Sequence, residues 1–232
     1  MPETILQQLK KIIEAGILND LMKTEEAISV FKAIAKNATE INKSELYVKS
    51  SFAYIQLLSF NDLILSINRL YDRSSERNQT RCIESALKLL KEHHNQLPPI
   101  VEKYNTIETL RHYKIPEHIV KLVDSSDEHL FAYKLAVHLE NRLINHRDQL
   151  VTIKRKRDKT LAHNEPTSVI SIKLDEIQSF LNFGWEVLII IGWAYFSTIY
   201  GTKDDNHLIR DAHSKGFYIN KLIQNNLKQN SA

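Results

Sequence analysis

Apolar residues recur along this chain at the three- and four-residue intervals of amphipathic helices. Ile5, Leu6, Leu9, Ile12 and Ile13 define one side of a short helix over residues 4–15. Thr24 is placed to cap a second helix that carries Ile28, Phe31, Ile34, Ala38 and Ile41. Ser44 is placed to cap a third, running to about Tyr71 and apolar almost all round, which is the pattern of a central helix. Asp72-Arg73-Ser74-Ser75 closes it, and a fourth helix spans 79–95. Pro98-Pro99 breaks the chain, and helices over 100–112 and 116–122 follow, separated near Pro116. Ser125 and Glu128 have the spacing of a capping box, opening a helix that runs to about Ala162 and ends at Asn164-Glu165-Pro166. Such a helix is about 55 Å long at 1.5 Å per residue, long for a domain of this size, so a kink or a protruding end is expected. Residues 173–200 read as the last long helix, followed by a polar tail with a short helix over 217–228.

Composition supports the same class. Five glycines and five prolines in 232 residues are too few for the turns of a sandwich or a doubly wound sheet. The expected fold is all-α, a bundle of long antiparallel helices. Its expected division is a helical extension over 1–43, the bundle over 44–203 and a polar tail over 204–232. Residues 187–200 form an uncharged run of 14, bounded by Glu186 and Lys203, whereas a spanning helix needs about 20 residues. A buried bundle helix and no membrane partner are therefore expected. Cys82 is the single cysteine and the start has no basic segment leading into an apolar run, which together suit a reducing, cytoplasmic location. No HExxH or comparable pair occurs, and His93-His94 point about 100° apart on a helix, so neither a metal nor a cofactor is expected.

Charge is local. The whole chain carries a formal +3, yet Lys154-Arg155-Lys156-Arg157-Asp158-Lys159 alone contains five cations and one carboxylate, leaving the remainder near −1. A confined basic patch suits a phosphate-bearing partner. The plain alternative is a solvated, lysine-rich helix face.

Leu139, Leu143, His146, Leu150, Ile153 and Arg157 are spaced 4, 3, 4, 3, 4 and form one stripe, apolar except for His146, that ends on Arg157. Arg157 is thus expected to face a packed surface, although its stem can also cover the core while its head reaches water. His146 reads as a satisfied core or interface histidine. His163 follows six residues after Arg157, which on an ideal helix is a net 120° round and about 9 Å along. The two side chains meet only if the last turn unwinds, or if two copies of the segment face each other across a twofold axis. Arginine and histidine beside a basic patch suit metal-free RNA cleavage. The ribose 2′-OH attacks the adjacent phosphate, histidine moves a proton near neutral pH, and arginine holds the phosphate oxygens. The products are a 2′,3′-cyclic phosphate and a 5′-OH. Asp158 and Asn164 are supporting candidates; Lys154, Arg155, Lys156 and Lys159 are candidates for the RNA backbone. Asp62, with Ser59 one turn before it, is a further candidate for reaching the site.

The segment Arg157-Asp158-Lys159-Thr160-Leu161-Ala162-His163-Asn164-Glu165-Pro166 resembles the HEPN (higher eukaryotes and prokaryotes nucleotide-binding) superfamily. Its ribonucleases carry arginine, four to six residues, then histidine at the end of a long helix. The wording around Arg157 and His163 is most similar to the abortive-infection U-type branch, as is the upstream Ile67-Asn68-Arg69-Leu70-Tyr71-Asp72-Arg73. Arg111 and His118 share the bare spacing, but Pro116 stands between them. The resemblance spans about 40–210 and implies an endoribonuclease, a homodimer with a composite active site, and a role in antiviral defence or as a toxin with an antitoxin partner. Some branches extend the motif to His-x-Tyr, where a nucleotidyltransferase partner modifies the tyrosine; here that position is Glu165. The alternative reading is a non-catalytic helical module that binds RNA, a nucleotide or a partner protein.

Overall fold

The computed structural model describes residues 3–73, 80–158, 174–201 and 206–229, and among them every regular element is helical. In chain order the α-helices, with the π-helical turn that joins the first two, are α1 (Ile5–Ile12), a π-helical turn (Ile13–Leu18), α2 (Asn19–Lys36), α3 (Ala38–Lys43), α4 (Leu46–Leu70), α5 (Ile83–Glu92), α6 (Lys103–His112), α7 (Glu117–Val120), α8 (His129–Ile144), α9 (Arg147–Lys156), α10 (Leu174–Ile191) and α11 (His207–Gln229). Packing groups the chain into two compact units: Met1–Leu21 with Ile67–Asn206, and Met22–Ser66 with His207–Ala232. Residues 1–21 therefore group with 67–206.

The first unit is organised around α5, α8 and α10. Leu87 and Leu90 of α5 and Leu135 and Leu139 of α8 are fully buried where these two helices pack together. α10 is apolar on nearly every side and contributes Phe180, Leu181, Val187, Leu188, Ile190 and Ile191 with no exposed surface. Leu174–Phe196 is long and apolar enough to cross a membrane by length and composition, yet 78% of its apolar window is buried inside the molecule, as in the core helix of a bundle. Close approach explains Gly16: a Cβ there would lie 2.3 Å from the Arg81 carbonyl oxygen. The second unit closes on a cluster of Ile34, Ile41, Phe52 and Ile223, flanked by Val30, Val48, Ile55 and Ile219.

Several boundaries differ from the sequence expectation for identifiable reasons. Thr24 is buried inside α2 and not at a helix start, because the chain continues helically from α1; the cap is Thr4, which forms a capping box with Gln7. The Ser44 hydroxyl donates to the Ile41 carbonyl (2.6 Å) and closes α3 rather than opening α4. Ser125 accepts from the Asp127 N–H (3.1 Å), two residues on, and Glu128 pairs with Lys103 (2.8 Å), so the capping box does not form and α8 begins at His129. The expected kink is present: α8 ends at Ile144 and α9 starts at Arg147. The tail is a 23-residue helix, not a short one, because Ala212, Gly216, Ile219 and Ile223 recur at 4, 3 and 4 and supply its packed face.

Candidate functional site

The break between α8 and α9 shapes the site. It turns His146 away from the stripe: the ring packs on Phe180 (5.3 Å) and Phe183 (5.9 Å). Leu143, Leu150, Ile153 and Arg157 keep to the other side, where they line a cavity of about 730 Å³, a size typical of ligand sites. The stripe therefore ends on a cavity wall, with the Arg157 side chain 27% exposed.

Three further segments complete the cavity: Ile67, Asn68, Tyr71, Asp72 and Arg73 at the end of α4; Glu84 of α5; and Glu140, Asn141 and Ile144 of α8. The wall from α9 also includes Arg147 and Lys154. Arg147, Leu150, Val151, Lys154 and Arg157 share one helical face, so α9 offers alternating cationic and apolar contacts. The cavity's cations are Arg73, Arg147, Lys154 and Arg157; its carboxylates are Asp72, Glu84 and Glu140. Lys91, outside the lining, pairs with Glu140 at 2.5 Å, and Asp72 accepts the Arg73 backbone N–H at 2.9 Å. With Lys91 and with Asp158, which pairs with Arg157, counted in, five cations stand against four carboxylates, a net excess of one positive charge.

Arg157 is held from one edge. Its Nε and Nη2 both donate to Asp158 Oδ1, at 2.8 and 2.6 Å. The end-on fork of Nη1 and Nη2 is the edge that geometry leaves for a bidentate oxyanion. Lys154, Arg155 and Lys156 occupy the last turn of α9, where cations offset the negative end of the helix dipole. That offset matters for an anion, which a bare helix C-terminus would repel. At Arg157–Asp158 the α-helix gives way to a π-helical turn.

The sequence candidates separate here. Arg157 and Lys154 line the cavity, and Asp158 positions Arg157. Arg155 is exposed and Lys156 half-buried, and neither lines it. His163, Asn164 and Lys159 lie outside the described residues. Ser59 donates to the Ile55 carbonyl, and neither it nor Asp62 lines the cavity. Arg111 is engaged by Glu117 (3.4 Å) and Glu108 (3.6 Å). Sequence reasoning missed Arg147, although its spacing of seven and ten from Lys154 and Arg157 was the available signal. It also missed Glu84 and Glu140, for which no local pattern exists.

On the far side of the same break, Arg142 forms a two-pronged ion pair with Glu186, which is 4% exposed; the Nη2–Oε2 arm measures 2.8 Å. Burial pushes the Glu186 carboxyl above its ordinary range, opposed by Arg142. The Tyr71 hydroxyl donates to the Phe180 carbonyl (2.5 Å), and burial raises it well above its ordinary value. Among the described residues, no three His, Cys, Asp or Glu side chains converge as a metal-ligand set. No family model, curated protein or solved structure matches the chain.

Proposed function

We propose that this protein is a metal-independent endoribonuclease of the HEPN type, acting in the cytoplasm in antiviral defence or as a toxin. One observation carries the reading. Ile67–Arg73 and Arg157, which opens the other segment that resembles the family, are more than eighty residues apart in sequence and line one cavity.

In this mechanism the end-on fork of Arg157 holds two non-bridging oxygens of the scissile phosphate. Asp158 fixes the other edge and so the plane of the guanidinium. The ribose 2′-oxygen attacks phosphorus and loses its proton, the 5′-oxygen leaves and gains one, and His163 serves a proton transfer. Charge that builds on the non-bridging oxygens is offset by Arg157, with Lys154 and Arg147 along the same face. The π-helical turn at Arg157–Asp158 starts the departure from straight-helix geometry that bringing His163 beside Arg157 requires. A second copy facing the first is the other route to a composite site. RNA is the partner, with an antitoxin as a regulator.

The test is cleavage of RNA in EDTA by the wild type and His163→Ala. Loss of acid–base catalysis lowers the rate on the order of 10²–10⁴-fold. Equal cleavage by both proteins ends the proposal. RNA binding without cleavage, unchanged in His163→Ala, favours the binding-module reading, for which the cationic face of α9 suffices.

A further inference from the structure

Glu84 is the one carboxylate at the cavity that phosphate binding leaves without a task. Asp72 accepts the Arg73 backbone N–H, Glu140 pairs with Lys91, and Asp158 holds Arg157. No cation among the described residues pairs with Glu84. It stands in the first turn of α5, where the helix dipole favours a carboxylate with no cation beside it. A phosphate next to it would be repelled. The charged lining is also divided by element. Arg147, Lys154 and Arg157 belong to α9 and the residue that follows it, whereas Glu84 enters from α5. At about 730 Å³ the cavity has room for a drug-sized ligand, far more than one phosphate group. A ligand that fills it carries an anionic group toward α9 and a neutral, donor-bearing group toward Glu84.

We propose that Glu84 selects the base: a guanosine of single-stranded RNA, next to the phosphate held at Arg157, offers its pairing edge to this carboxylate. Each base edge has its own donor pattern. Guanine presents N1–H and the N2 amine side by side, two donors for the two acceptor oxygens of a carboxylate. Adenine and cytosine set a bare ring nitrogen beside their amine, and a carboxylate repels that lone pair. Uracil has one N–H between two carbonyls. A single strand is where such an edge is free to be read. Asn141 of α8 lines the same cavity with an amide that can donate to guanine O6. Leu143, Ile144, Leu150 and Val151 supply apolar surface for the ring faces. Charge agrees as well. A net excess of one positive charge matches one phosphodiester carried on a neutral base, and not a run of phosphates.

The inference rests on the ribonuclease reading for the phosphate at Arg157, and a binding measurement lets the two fail separately. The probes are a short oligouridylate with one central guanosine and the same RNA with inosine in its place, which lacks only the N2 amine. Both are titrated against His163→Ala, which leaves the RNA intact, and against His163→Ala with Glu84→Gln. The guanosine RNA binds His163→Ala at least about tenfold tighter than the inosine RNA, the worth of one good base-edge contact. Adding Glu84→Gln brings the two RNAs within about twofold of each other, because the amide sets a donor against one of guanine's donors. Affinity for the inosine RNA stays within a few-fold, which separates lost base reading from lost fold. Wild type cuts beside the guanosine. Equal affinity of His163→Ala for the two RNAs, or a guanosine preference that survives Glu84→Gln, overturns the inference even where the wild type cleaves RNA. So does guanosine monophosphate that binds as tightly as the guanosine RNA, because the ligand is then a free nucleotide. A wild type that cleaves nothing yet prefers the guanosine RNA through Glu84 upholds the inference and overturns only the ribonuclease reading.

Discussion

Arg142→Leu is expected to destabilise the first unit far more than an exposed arginine normally would. The variant leaves Glu186 nearly buried with no cation beside it. Breaking a buried pair from one side costs about 3–5 kcal/mol; with Arg142 itself 35% exposed, screening lowers this to about 2–4 kcal/mol. For a chain of this length that corresponds to a fall in Tm of roughly 5–15 °C. Loss of the guanidinium over the Phe183 ring, 5.3 Å away, acts in the same direction. Two controls isolate the cause. Arg142→Leu with Glu186→Leu removes both charges and recovers most of the loss, because an apolar pair needs no desolvation. The pH profile gives the second. Glu186 already titrates above the ordinary carboxylate range, so in that window the folded state holds a proton that the unfolded state has lost. Its contribution to stability therefore declines as pH rises through the window. Without Arg142 the folded value rises further, so the deficit of Arg142→Leu is largest at neutral pH and shrinks on acidification. Melting followed by circular dichroism between pH 5 and pH 8 measures all three proteins. A double variant as unstable as the single one, or a deficit that grows on acidification, would refute the reasoning.

Leu139→Ala removes a fully buried side chain between α5 and α8 and should cost about 2–5 kcal/mol in denaturant unfolding. Gly216→Ala places a Cβ 2.4 Å from the Ser29 carbonyl oxygen, a backbone atom that cannot swing aside. It should cost about 1–3 kcal/mol and speed hydrogen exchange along α11. Lys154→Ala and Arg147→Ala should each lower the salt dependence of single-stranded RNA binding by about 0.7 in the log–log slope, read by titration at several salt concentrations.

The all-helical class was legible because periodicity and the scarcity of Gly and Pro agreed. The kink was legible as well, from the length of the helix that the capping signals implied. Cap assignments failed where a serine or threonine had a competing partner: Ser44 turned back to Ile41, and Ser125 met Asp127. Half of the site was legible. Arg157, Lys154 and the Ile67–Arg73 segment carried local signals, whereas Glu84 and Glu140 reach the cavity through tertiary packing alone. The openness of α4, where Tyr47, Tyr54, Leu57 and Leu58 stay exposed, was not legible, because an apolar helix reads the same whether or not it is covered.

The most direct test of the central claim compares two arginines two positions apart. Arg157 lines the cavity and Arg155 does not, although both belong to the same basic cluster. Arg157→Ala and Arg155→Ala remove the same charge, so generic attraction for RNA falls equally in both. Rates of RNA cleavage at saturating substrate should fall on the order of 10²–10³-fold for Arg157→Ala and stay within a few-fold of wild type for Arg155→Ala. Equal losses in the two variants would contradict a phosphate held in this cavity and leave only a diffuse basic surface.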